Sequence, residues 1–81
     1  MLRASEIWDI ILRRTPRRRW VLLGEIYRLV EREGLLDDED FRPQSPSSNI
    51  PKWKRNVRNV LLHRKTIGDI KWNGNAGYLL D

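Results

Sequence analysis

Residues 68–80 have the pattern of a β-hairpin. Side chains alternate along the first half, with Ile70 and Trp72 on one face, and Tyr78 and Leu80 face one way on the return. The turn between the two halves reads Asn-Gly-Asn-Ala-Gly, and Asn-Gly between alternating segments is a strong hairpin signal. The sequence therefore predicts two short antiparallel strands joined by a tight turn.

Two helices are predicted earlier in the chain from the spacing of apolar residues. Residues 5–14 form the first, with Ser5 as its N-cap and Thr15-Pro16 as its end, because the residue before a proline disfavours the helical region. Residues 24–33 form the second, and Gly34 is its expected C-cap.

The connecting segments predict a strand and a long loop. The apolar run at residues 20–23 is too short for a helix and suits a strand. Leu35 and Leu36 are expected to pack back on the core. Residues 37–48 join an acidic cluster to a Pro/Ser-rich stretch, which predicts a solvated, irregular loop that is either a tolerated insertion or ordered by a partner. Its acids lack the ligand spacing of a calcium loop.

Residues 49–65 are predicted to form the third helix, capped by Ser48 or Asn49, with Pro51 in the first turn. One stripe is apolar and is expected to be buried. It consists of Trp53, Val57, Val60, Leu61 and the stem of Arg64. The opposite side carries basic and amide side chains, which are Lys52, Arg55, Asn56, Asn59 and His63, with Arg58 near the edge.

Length and composition exclude several classes of protein. The 81 residues suit one domain, spanning 1–81, and are too few for a barrel or doubly wound enzyme. There is no cysteine for disulfides, Cys-ligated zinc or thiol catalysis. No apolar run approaches the roughly 20 residues of a membrane span, and no signal-peptide core is present. We expect a cytoplasmic protein without metal or cofactor.

Charge is segregated along the chain, which has a formal net charge of +5. Residues 1–20 and 41–81 are each strongly basic, whereas residues 21–40 hold seven acids and only two arginines. This pattern predicts one basic and one acidic face, and a polyanionic partner for the basic one.

An enzyme is not expected. Asp69-Ile70-Lys71 matches a fragment of a metal-dependent nuclease motif, but the further metal-binding aspartate and larger sheet of such a site are missing. His63 is the only histidine, and no Ser–His–acid spacing accompanies it.

The order helix, strand, helix, loop, helix, hairpin predicts an α+β winged helix, in which three helices pack beside a small antiparallel sheet. Residues 54–62 resemble a recognition helix, and residues 68–80 resemble a wing that ends in Gly-Tyr-Leu. A helix fits the major groove of DNA, where arginine can pair with guanine and asparagine with adenine. The wing and the triple arginine would contact the backbone or a neighbouring groove. The predicted DNA-binding residues are Lys52, Lys54, Arg55, Asn56, Arg58, Asn59, Lys71, Trp72, Asn73, Asn75, Arg17, Arg18 and Arg19.

The helix followed by a Gly-x-Ile strand and a Gly-Tyr-Leu end is similar to the reader domains of methyladenine-dependent restriction endonucleases. That resemblance implies a module that recognises N6-methyladenine in double-stranded DNA, with a covalently linked nuclease domain elsewhere in a bacterial restriction protein. Trp72 or Leu62 would cover the methyl group. Two alternatives stay open: a winged helix transcriptional regulator, and a winged helix that docks a protein through its acidic loop or second helix.

Overall fold

In the computed structural model, which describes residues 1–80, four helices pack beside a three-stranded antiparallel sheet. The architecture is therefore α+β, with one more helix than the sequence predicts. The elements are α1 Ala4–Arg14, β1 Arg19–Leu22, α2 Leu23–Glu33, α3 Asp38–Phe41, α4 Lys52–Thr66, β2 Lys71–Trp72 and β3 Gly77–Leu80.

The sheet has the order β1-β3-β2, so the return strand of the hairpin lies in the centre. Arg19 is the partner of Leu80 at one end of the β1–β3 pair, and Leu22 is the partner of Gly77 at the other. In the hairpin, Trp72 lies beside Tyr78. The predicted hairpin and first strand are confirmed, with β1 starting and ending one residue earlier than expected.

The core lies between α1, α2 and α4 and extends to the inner face of the sheet. The apolar stripe predicted for α4 is confirmed, because its four apolar members are all buried. Trp53 is packed edge-on against Tyr27 of α2, with ring centroids 5.7 Å apart. The stem of Arg64 is half-buried, and its guanidinium lies 4.7 Å from the ring centre of Trp8 on α1.

Helix α1 starts differently from the prediction. Its N-cap is Arg3, and the predicted cap Ser5 lies exposed inside the first turn. The Glu6 carboxylate accepts a hydrogen bond of 3.0 Å from the Arg3 backbone N–H, which is half of a capping box. The side chain of Glu6, and not that of Ser5, therefore satisfies a backbone N–H group at the start of α1.

Gly34 is the C-cap of α2, as predicted, but for a different reason. Its φ of −82° is open to any residue. A Cβ at this position would lie 2.7 Å from the carbonyl oxygen of Val30 and 2.9 Å from Cδ2 of Leu2. Glycine is required here by close packing. Beyond it, Leu36 packs against the core, whereas Leu35 is 90% exposed, so the prediction for Leu35 is wrong.

Residues 37–48 are not the solvated, irregular loop that the sequence predicts. They contain α3, and Asp40 within it is completely buried. The Asp40 carboxylate accepts hydrogen bonds from the backbone N–H of Leu2 at 3.0 and 3.1 Å and from that of Asp37 at 3.0 Å. The Asp37 carboxylate in turn accepts from the Asp40 N–H at 3.1 Å and forms an ion pair with the Met1 amino group. Part of the acidic cluster therefore fixes the first residues of the chain.

Residues 42–51 form a closed loop between α3 and α4. The Gln44 N–H donates to the Ile50 carbonyl at 2.9 Å, and the Lys52 N–H donates to the Arg42 carbonyl at 2.8 Å. The Ser48 hydroxyl accepts from the Ile50 N–H at 3.0 Å. Helix α4 consequently begins three residues later than predicted, with Pro51 as its N-cap in place of Ser48 or Asn49.

The first strand of the hairpin, β2, is shorter than the alternating segment in the sequence. Strand β2 contains only two residues, and Ile70 precedes it. Ile70 is 3% exposed and belongs to the core, whereas Trp72 is 43% exposed at the edge of the sheet. Ile70 and Trp72, which the sequence pattern places on one face, therefore differ in burial.

Candidate nucleic-acid interface

A cleft of about 360 Å³ lies where α4, the loop 42–51 and the hairpin meet. It combines cationic, amide and apolar side chains, and no carboxylate is among its lining residues. They are Gln44, Ile50, Arg55, Arg58, Asn59, Leu62, Lys65, Trp72 and Tyr78. We call this set the α4 cleft. It brings together Arg55, Arg58, Asn59 and Trp72 from the predicted DNA-binding residues.

Arg55 is held in place on the wall of the α4 cleft. One guanidinium nitrogen, Nη2, donates to the side-chain oxygen of Asn56 at 3.2 Å, and the residue is half-buried. Its Nε is buried with no hydrogen-bond partner. Arg58 and Asn59 are exposed on the next turn of α4.

Trp72 is oriented by two contacts. Its indole N–H donates to the carbonyl oxygen of Asn75, across the turn. The ammonium group of Lys65, from the end of α4, lies 4.7 Å from its ring centre. Lys65 thereby joins α4 to the hairpin, and the ring is held by these contacts while remaining 43% exposed.

Asn73 is engaged in folding the turn. Its side-chain oxygen accepts hydrogen bonds from the N–H groups of Asn75 at 2.8 Å and Gly77 at 3.1 Å. A Cβ on Gly77 would meet the Asn73 side-chain amide, which would have to shift away from its hydrogen bonds to make room. The oxygen of Asn73 is thus occupied. Asn75 and Lys71 are exposed on the hairpin outside the α4 cleft.

The two lysines at the start of α4 have partners within the protein. Lys52 forms a hydrogen-bonded ion pair with Glu39 of α3, and this contact lowers the pKa of the Glu39 carboxyl. The Lys54 ammonium lies 5.3 Å from the ring centre of Tyr27 and 5.7 Å from that of Trp53. Neither lysine lines the α4 cleft.

The triple arginine lies on the far edge of the sheet. Arg19 is the first residue of β1 and forms an ion pair with Glu25 at 3.2 Å. Arg18 has a φ of +58° and donates its N–H to the Leu80 carbonyl at 2.6 Å. Arg17 donates from Nη2 to the Leu12 carbonyl at 3.1 Å. None of the three lines the α4 cleft.

Arg58 also influences two tyrosines. Burial raises the pKa of both Tyr27 and Tyr78, and the positive charge of Arg58 acts in the opposite direction on each. Both phenols therefore stay neutral at physiological pH. In the α4 cleft, Tyr78 therefore offers a neutral hydroxyl near the positive charge of Arg58.

Several acidic residues of the segment 21–40 form ion pairs with basic side chains. Glu33 pairs with Arg14 at 3.0 Å and with Arg32 at 3.2 Å. Glu39 pairs with Arg42 at 3.4 Å as well as with Lys52. Glu33 and Glu39 thus pair with basic residues from both basic segments, Arg14 in the first and Arg42 and Lys52 in the second. Basic side chains remain without carboxylate neighbours along the α4 cleft, which the sequence alone did not indicate.

A second cleft, of about 540 Å³, runs along the other side of α4 beside the start of α1. Asn56 and His63 line it, and Asn59 borders both clefts. The predicted face of α4 therefore borders two clefts, with Arg55 and Arg58 on the side of the hairpin.

Sequence reasoning did not identify four lining residues of the α4 cleft as site residues: Gln44, Ile50, Lys65 and Tyr78. Lys65 and Tyr78 could have been found from the sequence, because each lies within six residues of a predicted DNA-binding residue, Asn59 and Asn75 respectively. Gln44 and Ile50 had none, because the folding of the loop brings them to the cleft.

The nuclease-like fragment at residues 69–71 has no metal-binding cluster around it among residues 1–80. Asp69 forms an ion pair with Arg64 at 2.9 Å, and residues 1–80 contain no group of three or more potential metal-ligating side chains. No helix in this part of the chain is long and apolar enough to cross a membrane.

Comparisons with models of known families, with curated proteins and with solved structures find no match to this chain.

Proposed function

We propose that this protein is a double-stranded DNA-binding module of the winged helix type, with α4 as recognition helix and the β2–β3 hairpin as wing. The observation that carries the proposal is the α4 cleft, where three cations, two amides and an exposed tryptophan meet without a carboxylate. Arginine and asparagine on a protruding helix suit base edges in the major groove. The sheet order, with the hairpin beside the end of α4, is compatible with this architecture.

The finer proposal is an N6-methyladenine reader belonging to a modification-dependent restriction endonuclease. It is supported by the resemblance of residues 54–62 and 68–80 and by the position of Leu62 and Trp72 beside Asn59. An asparagine can still pair with adenine after one N6 hydrogen is replaced by methyl. Burying one methyl group is worth about 0.8 kcal/mol, which corresponds to a preference of about fourfold.

We propose a binding module without catalytic activity of its own, since Asp69 of the nuclease-like fragment is paired with Arg64. A protein-binding winged helix is the second candidate. One observation favours it: Trp20 and Leu22 of β1 are 50% and 59% exposed on the outer face of the sheet.

Titration of fluorescently labelled duplexes tests the proposal. Neutralising about five phosphates predicts a slope near −4 to −5 in log affinity against log salt. Arg55→Ala and Asn59→Ala should each weaken binding by about 1–3 kcal/mol. Arg28→Ala is the matched control, because Arg28 is an exposed arginine of α2 outside the α4 cleft.

Two results would distinguish DNA binding in general from recognition of methyladenine. Affinity that does not change with salt would exclude duplex DNA as the ligand of this surface. Equal affinity for methylated and unmethylated duplexes, in several adenine contexts, would remove the methyladenine reader and leave the DNA-binding module.

A further inference from the structure

The α4 cleft is a recess large enough to take one nucleotide of a bound duplex. Its walls come from three separate segments, namely α4, the loop 42–51 and the hairpin, so it is concave. Its volume of about 360 Å³ is that of a small-ligand site. A duplex presents grooves and ridges to a protein, and only a base that has left the stack enters a pocket of this kind.

The lining chemistry indicates an anion that carries hydrogen-bonding groups. Arg55, Arg58 and Lys65 supply positive charge from one side of α4. The buried Nε of Arg55 has no acceptor within the protein. Gln44 donates its amide N–H to the Ser48 hydroxyl at 3.2 Å, which fixes the amide, and the amide of Asn59 lies on the opposing helix. A phosphate and the edge of a base supply the acceptors and donors that these groups need.

The apolar part of the cleft suits a flat ring. Leu62 is 58% exposed, and Trp72 is 43% exposed although its indole N–H is already bonded to Asn75. With that donor occupied and the Lys65 ammonium over one ring face, the remaining ring surface is the part of Trp72 available to a ligand. Aromatic side chains of this kind stack on unpaired bases with little regard to sequence.

We propose that the α4 cleft binds a single unpaired nucleotide, with the base against Trp72 and Leu62 and its phosphate beside the cations of α4. The inference rests on the proposed function, because the nucleotide comes from bound duplex DNA in which one base has turned out of the stack. Turning a base out is easiest where the base has no pairing partner. The protein therefore prefers duplexes that contain an unpaired nucleotide over fully paired ones.

The experiment compares two labelled duplexes that differ only by one central unpaired 2-aminopurine, together with free adenosine monophosphate. We expect about tenfold tighter binding to the duplex with the unpaired base, the scale of one stacking contact, and a change in 2-aminopurine fluorescence on binding. Trp72→Ala should abolish both effects, and Trp72→Phe should retain most of them. Trp20→Ala is the control, because Trp20 is equally exposed but lies on β1, outside the cleft.

Should Trp72→Ala fail to fold, Leu62→Glu replaces it, since Leu62 is an exposed helical residue lining the cleft. Its control is Ile67→Glu, at a residue 53% exposed outside the cleft. Leu62→Glu should remove the preference for the unpaired base, and Ile67→Glu should keep it.

The outcomes are distinguishable. Equal affinity for both duplexes with unchanged fluorescence overturns this inference, while salt-dependent duplex binding leaves the proposed function standing. Binding of the unpaired duplex alone, lost in Trp72→Ala, supports the cleft and contradicts paired DNA as the ligand. Binding of free adenosine monophosphate as tightly as the unpaired duplex overturns the DNA strand as the source of the nucleotide.

Discussion

Replacing Asp40 by alanine should destabilise this protein more than its place in an acidic surface segment suggests. The completely buried carboxylate holds the N–H groups of Leu2 and Asp37. A buried N–H left without a partner costs about 1–3 kcal/mol, and the Asp37 N–H is only partly buried and costs less, so we expect a loss of roughly 2–4 kcal/mol in the free energy of unfolding. At about 4–8 °C per kcal/mol for a domain of this size, the melting temperature should fall by roughly 10–30 °C.

Urea unfolding followed by circular dichroism measures the effect. Asp38→Ala is the matched control, because it removes an exposed carboxylate from the same helix. Asp40→Asn should lie between the two, since its amide keeps one oxygen as an acceptor. If Asp40→Ala unfolds within about 0.5 kcal/mol of Asp38→Ala, the reasoning from burial and hydrogen bonding is wrong.

Three more predictions concern packing and pH. Trp53→Ala should cost about 3–5 kcal/mol in calorimetry, because the ring is only 2% exposed. Gly34→Ala should destabilise by about 1–3 kcal/mol in urea titration, whereas Gly24→Ala, inside α2 with no atom within 4 Å of the new Cβ, should stabilise by about 0.5–1 kcal/mol. The lowered pKa of Glu39 contributes stability above pH 4.5 that is lost as the pH falls through its folded value. Melting curves of Glu39→Gln should therefore lose less stability on acidification than those of the wild type.

Much of the fold was predictable because its determinants are local. The stripe from Trp53 to Leu61 has helical spacing, and each apolar member is buried. The Asn-Gly turn at residues 73–74 lies between two short strands, as the pattern indicated. Here Asn73 supplies the side-chain oxygen and Gly74 the positive φ of 86°.

What could not be predicted depends on contacts between distant parts of the chain. Asp40 resembles any acidic loop residue until Leu2 is placed against it. Lys52 likewise resembles any exposed lysine until its ion pair with Glu39 is known. Gln44 and Ile50 reach the α4 cleft only because the hydrogen bonds of their loop bring them there. Local patterns identified Arg55, Arg58, Asn59 and Trp72, but the shape of the cleft required the fold.

The central position of β3 has a consequence for synthesis on the ribosome. Strands β1 and β2 both pair with β3 and not with each other, and the partner of Arg19 is Leu80. As the chain emerges, helices α1, α2 and α4 can collapse together while β1 still has both edges unpaired. The sheet closes only when the last strand arrives and joins both neighbours in one step. Nascent chains stalled before residue 77 should therefore be helical, with Val21, which is only 1% exposed in the folded protein, open to chaperones.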